Sequence, residues 1–176
     1  QIYVSLSRLH EYGLIRLHDR NRIQRSEPLE PLSLQQRTMF DTHPLIREYF
    51  AAQMEQEPNR VAGINGHSRL FEHLQHASSD IPQSLSDLMP LYRAVSHGCK
   101  AGLTRLAYTE VLKKRIERQD EYFATDTLGL YGLQKAALWN FFTDSWTSPR
   151  KDLTDEMRFE VCLGAGYVLR ALGEPI

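Results

Sequence analysis

The chain has 176 residues, and its 21 basic and 22 acidic side chains leave a formal charge of −1. That length holds one medium domain or two small ones, and the balanced charge excludes a global electrostatic drive towards nucleic acid or a membrane surface. Cys99 and Cys162 form no CxxC pair, and no apolar run approaches the roughly 20 residues of a membrane-spanning helix, so the expected setting is reducing and cytoplasmic.

The first residues, QIYVSLSRL, lack the basic start and long apolar core of a signal peptide, and there is no initiator Met. The chain is therefore expected to be a fragment. Ile2, Leu6 and Leu9 recur at helical spacing, with Gly13 placed as a C-cap. Leu14 to Leu17 alternates like a short strand, and Gln36 to Asp41 is a second one. Residues 19–35 between them hold two prolines and several charges without a period, which predicts an exposed loop. Pro44 suits the first turn of a helix, where its missing N–H costs nothing, and Leu45, Tyr49 and Ala52 give that helix an apolar face.

From Asn59 onward the pattern is helical throughout. Leu70, Phe71 and Leu74 mark one helix. Ser84 with Asp87 three residues on starts the next as an Asp variant of a capping box, followed by Leu88, Leu91, Tyr92 and Val95. Gly102 breaks that helix, and Leu106, Val111, Leu112 and Ile116 carry another. Leu128 to Phe142 reads as a fifth, very apolar at Trp139, Phe141 and Phe142. Thr154 opens the last, whose stripe holds Met157, Val161, Gly164, Val168 and Leu172. Short helices joined by tight turns predict stacked antiparallel pairs. The expected fold class is mainly α, with residues 1–57 and 58–176 as the two parts.

Helix, strand, long loop, strand, helix is the order of the second half of a winged-helix domain, and SRLHEYGLI looks like its third helix running into the wing. Thr42-His43-Pro44 followed by Leu45-Ile46-Arg47-Glu48 resembles the MHD-like signature of the STAND signalling NTPases, the NACHT and NB-ARC classes. Thr stands here for its Met and Pro for its Asp. His67 to Leu74 (HSRLFEHL) and Pro90 to Cys99 resemble the helical text that follows in bacterial-type members. The C-terminal part is similar to degenerate tetratricopeptide repeats: Ala165-Gly166 and Leu172-Gly173 echo a first repeat helix, and Gly102 and Gly173 lie 71 residues apart, about two repeat lengths. The resemblance implies a winged-helix end in 1–57 and an incomplete repeat-like region in 58–176. It implies a non-catalytic sensor arm that couples nucleotide state to protein–protein interaction. Its partners would be an upstream nucleotide-binding domain, downstream repeats and a protein or peptide ligand. ATP or ADP with Mg would belong to the parent protein and no cofactor to this segment.

His43 carries two readings. The resemblance implies a sensor of the ADP phosphate, a role an imidazole can fill as a compact donor tunable near neutral pH; the alternative is a helix-entry residue without chemistry. A DNA-binding winged-helix regulator with a helical effector domain is the competing function, with Arg8, Arg16, Arg20, Arg22 and Arg25 as its phosphate contacts. Glu27 and Glu30 beside them favour a solvated loop instead. His67, His73, His76 and His97 with Cys99 do not have the spacing of a common zinc site, so no metal is expected. No GxxxxGK[ST] and no GxSxG string is present, and the chain reads as no enzyme. Lys113-Lys114-Arg115 beside Glu117, Arg118, Asp120 and Glu121 reads as a solvent-exposed, mixed-charge helix face. Finally, Ala165, Leu169 and Leu172 are expected to form an apolar stripe left uncovered until a further helix follows Gly173, and to pair between molecules or be capped by Phe141 to Trp146, with Gly164 and Gly166 marking a close helix approach.

Overall fold

The computed structural model describes residues 15–19, 38–42 and 44–174. Strand β1 (Ile15–Asp19) pairs antiparallel with β2 (Thr38–Thr42), in a register that sets Ile15 opposite Thr42 and Arg16 opposite Asp41. Helix α1 (Pro44–Glu55) starts at the proline, as a residue without an N–H allows. Ribbon and α1 belong to a compact unit ending at Arg60, and residues 61–176 form a second one. Taken over all described residues the fold is mainly α-helical. None of the described helices is long and apolar enough to cross a membrane.

The second unit is built on α2 (Arg60–His76), α3 (Leu85–Lys100), α4 (residues 104–116), α5 (Tyr131–Trp139) and α6 (Asp155–Ala171). Helix α3 is started by its capping box. The Ser84 hydroxyl accepts from the Asp87 N–H at 3.3 Å, and Asp87 Oδ2 accepts from the Ser84 N–H at 3.0 Å. Those bonds hold the Asp87 carboxyl below its ordinary range, the Gln83 N–H contributing most. At the other end of α3, Gly102 turns the chain at φ +76. Helix α4 follows as one α-helical turn, Thr104–Leu106, that widens into a π-helix over Ala107–Ile116. Backbone N–H groups there reach five residues back, as Glu117 does to Leu112 O at 2.8 Å.

Leu88, Leu91 and Val95 of α3, Val111, Leu112 and Ile116 of α4, Leu138 of α5 and Val161 and Val168 of α6 are buried together. Each such side chain contributes about 1.5–3 kcal/mol by leaving water. Gly98 lets the layers meet: a Cβ there would stand 2.8 Å from the Phe71 ring and 2.9 Å from Ala107 Cβ. Arg115 closes α2 by donating to Gln75 O at 3.0 Å, Ser78 O at 2.7 Å and Ser79 O at 2.6 Å, which satisfies carbonyls that a helix end leaves without partners.

Two expectations fail here. Helix α5 ends at Trp139 rather than Phe142. Phe141 and Phe142 are buried in the turn that follows, because the Phe142–Pro149 bridge draws the chain back on itself. The stripe on α6 is not open either. Ala165 is packed in the chain's own core with Val161 and Val168, Leu169 is buried as well, and of the three Leu172 alone is exposed. Gly164 marks no forced approach, since a Cβ there would meet Leu138 at an ordinary 3.7 Å. The repeat-like reading therefore loses the support it drew from an uncovered stripe.

Candidate functional site

Within the second unit a cavity of about 650 Å³ opens between the C-terminal half of α4, the turn after it, α5 and one flank of α6. It falls in the roughly 300–1,000 Å³ range of small-molecule sites. The π-helix delivers Tyr108 and Lys113, and Glu117 follows directly after it. Tyr122, held at φ +46, and a short π-helical turn, Phe123–Thr127, bring in Thr125 and Asp126. Helix α5 supplies Gln134, and α6 supplies Glu156, Phe159, Glu160, Leu163 and Tyr167 from its outer flank.

A hydrogen-bonded chain leads from the core to the cavity. The Tyr92 hydroxyl donates to Gln134 Oε1 at 3.2 Å, Gln134 Nε2 donates to Glu117 Oε1 at 2.7 Å, and Lys113 Nζ lies 3.3 Å from Glu117 Oε2. Burial raises the Glu117 pKa above the ordinary glutamate range, with Lys113 pulling the other way. For Lys113 burial disfavours the ammonium, but Glu117 together with Glu160 and Tyr122 outweighs it, and the pKa ends above the ordinary lysine value. Burial also pushes the Tyr92 hydroxyl up, so it stays a donor. Beside α6 the Tyr108 hydroxyl donates to Glu160 Oε2, and burial with this bond keeps the phenol protonated. At the mouth, Asp126 Oδ1 accepts from the Tyr167 hydroxyl at 3.1 Å and from Thr125 Oγ1 at 3.0 Å.

Among the described residues, four carboxylates thus line the cavity against a single cation, Lys113, and tyrosine rings stand among them. No family model matches the chain, and no curated protein or solved structure matches it either. What the site does must be read from its own chemistry.

Of the residues singled out in the sequence, Lys113 and Glu117 line the cavity. His43, Arg8, Arg20, Arg22 and Arg25 are outside the described residues, and Arg16 is placed only as a backbone position in β1. His67 and His97 do come together, with Nδ1 atoms 2.8 Å apart, whereas His76 Nδ1 engages the Glu72 carbonyl of its own helix at 2.7 Å. No group of three or more potential metal ligands converges among the described residues. The solvated face expected here is corrected in part: Lys114 and Glu121 are exposed, but Arg115 is only 7% exposed and Glu117 only 8%, and Lys113 is partly buried beside Glu117 and Tyr122. Their charges are carried inward because each has a specific partner, the carbonyls of Gln75, Ser78 and Ser79 for Arg115 and the Lys113–Gln134 pair for Glu117. One signal pointed to the site. Glu156 and Glu160 form a like-charge i,i+4 pair, which costs helix stability unless a neighbour compensates.

Proposed function

We propose that the chain is a non-catalytic regulatory segment of a STAND-type signalling NTPase, a sensor arm that couples nucleotide state elsewhere in its parent to protein–protein contact. The reading rests on the Thr42-His43-Pro44-Leu45 text at the junction of β2 and α1 and on the β1–β2 ribbon as the wing preceding it. One observation carries the interaction role. Helix α1 keeps no side chain buried among the described residues, while Leu45, Tyr49 and Phe50 are each at least 60% exposed. Large apolar side chains clustered on an exposed helix are the usual mark of a contact surface. In this reading the surface meets the nucleotide-binding domain, and ATP or ADP with Mg stays there.

Two measurements test it. The coding frame upstream of Gln1 should encode a GxxxxGK[ST] phosphate loop; a frame that begins just before Gln1, or lacks that loop, refutes the assignment. Co-expressed with that upstream segment, the chain should co-purify with it, and the L45S/Y49S pair should abolish the association while leaving the circular dichroism unchanged. Purified alone, the chain should turn over no Mg-ATP. Turnover that one substitution in this chain removes would overturn the non-catalytic reading.

A further inference from the structure

We propose that the cavity beside α6 binds an organic cation, an amine on an elongated apolar body. The ammonium would sit near Glu160 and Asp126 and the body between Tyr122, Leu163 and Tyr167. The inference rests on the cavity alone and stands or falls separately from the regulatory reading.

Charge sets the class of ligand. Glu117, Asp126, Glu156 and Glu160 face the cavity against Lys113, and Lys113 is already committed to Glu117 at 3.3 Å. A cleft with one sign of charge and apolar walls concentrates the opposite ion and repels its own sign. The carboxylates are pre-oriented for this. Tyr108 holds Glu160, and Tyr167 with Thr125 holds Asp126. An ionised carboxylate offers about four acceptor sites, so each retains capacity for a further donor.

Geometry then separates an organic cation from a metal ion. No three acidic or imidazole side chains converge on one point among the described residues, so a compact ion has no coordination shell. A single ammonium needs no such shell, since one or two carboxylates can take its three N–H donors. The walls suit its carbon part: Phe159 and Leu163 of the α6 flank line the cavity together with the tyrosine rings. Tyrosine faces also attract cations directly, and the site contains its own example, with Lys113 Nζ 5.7 Å from the centre of the Tyr122 ring.

The test uses the whole chain and three probes with one body and three charges: 4-phenylbutylamine, 4-phenylbutanol and 4-phenylbutyrate. Calorimetry at neutral pH and low salt should show the amine binding about tenfold or more tighter than the alcohol, a difference of about 1.4 kcal/mol. The carboxylate should bind more weakly than either. Amide chemical shifts should move at Tyr122, Asp126 and Leu163. The E160Q variant should cost the amine most of its advantage and leave the alcohol unchanged; should E160Q fail to fold, D126N at the exposed rim decides in the same way. Equal affinity for amine and alcohol, preference for the carboxylate, no binding by any probe, or shifts confined to other surfaces would each overturn the proposal. So would an amine advantage that survives the acidic-residue substitutions.

Discussion

Cys99 and Cys162 are the two thiols of the chain and sit in opposite environments. Cys99 is buried in α3, and burial pushes its thiol up to about 12; Cys162 is exposed on α6. Because the thiolate is the nucleophile, a disulfide reagent at pH 8 should label one thiol quickly and the second only in denaturant. Two fast thiols in the native protein would contradict the burial of α3. The imidazole pair gives a second test at this scale. Burial lowers the pKa of His97 from the ordinary 6.5, and His67, Lys100 and Arg93 add to the effect. The folded chain therefore binds fewer protons than the unfolded chain just below pH 6.5, so stability rises with pH across that window and is lost on acidification. Glu117 acts with the opposite sign, since its raised pKa makes the folded state bind more protons above the ordinary 4.5. The two are separated by difference. His97→Gln should lose less stability than the parent between pH 7 and pH 5 in urea titrations, and an unchanged pH slope would remove His97 from the account.

At the level of elements, α2 and α4 approach α3 closely over Gly98. Gly98→Ala must displace the Phe71 ring and Ala107 together, so a loss of about 1–3 kcal/mol is expected in the denaturant midpoint. Gly164→Ala is the matched control. Its new methyl meets Leu138 at 3.7 Å, and the helix gains up to about 1 kcal/mol from the better propensity of alanine. Equal effects at the two sites would mean that helix propensity and not packing governs both. The starts of α3 and α6 were legible because capping is local: Ser84 with Asp87, and Thr154 accepting from the Met157 N–H at 3.2 Å, declare themselves within four residues. The π-helix was not. Its apolar residues Val111, Leu112 and Ile116 fit an ordinary helical stripe, and nothing in a 3.6-residue period distinguishes a five-residue hydrogen-bond step. The end of α5 was missed for the same reason, since Phe141 and Phe142 are apolar whether they continue a helix or plug a turn.

For the whole molecule, the cavity was the least legible feature, because it depends on pairs far apart in sequence. Tyr108 meets Glu160 and Tyr92 meets Gln134 only after α3, α4, α5 and α6 have packed, and charge composition alone assigned Glu117 and Arg115 to water. The buried cluster runs from Phe71 to Val168, entirely inside the second unit. A chain from Pro58 to Ile176 should consequently fold by itself, with one cooperative transition followed by far-ultraviolet dichroism. A broad, non-cooperative melt would show that the helical unit lacks a sufficient core of its own.

Trp139 and Trp146 pack edge to face with centroids 4.9 Å apart, and Phe142 lies 5.1 Å from Trp146. They are the only tryptophans in the sequence. All indole emission therefore originates at one corner, where α5 ends and the Phe142–Pro149 bridge folds back. Fluorescence is then a witness to that corner alone, blind to the loosening of α2 or α3. Emission that changes before the dichroism would show the corner opening first, whereas coincident curves would mean that it holds until the entire helical unit lets go.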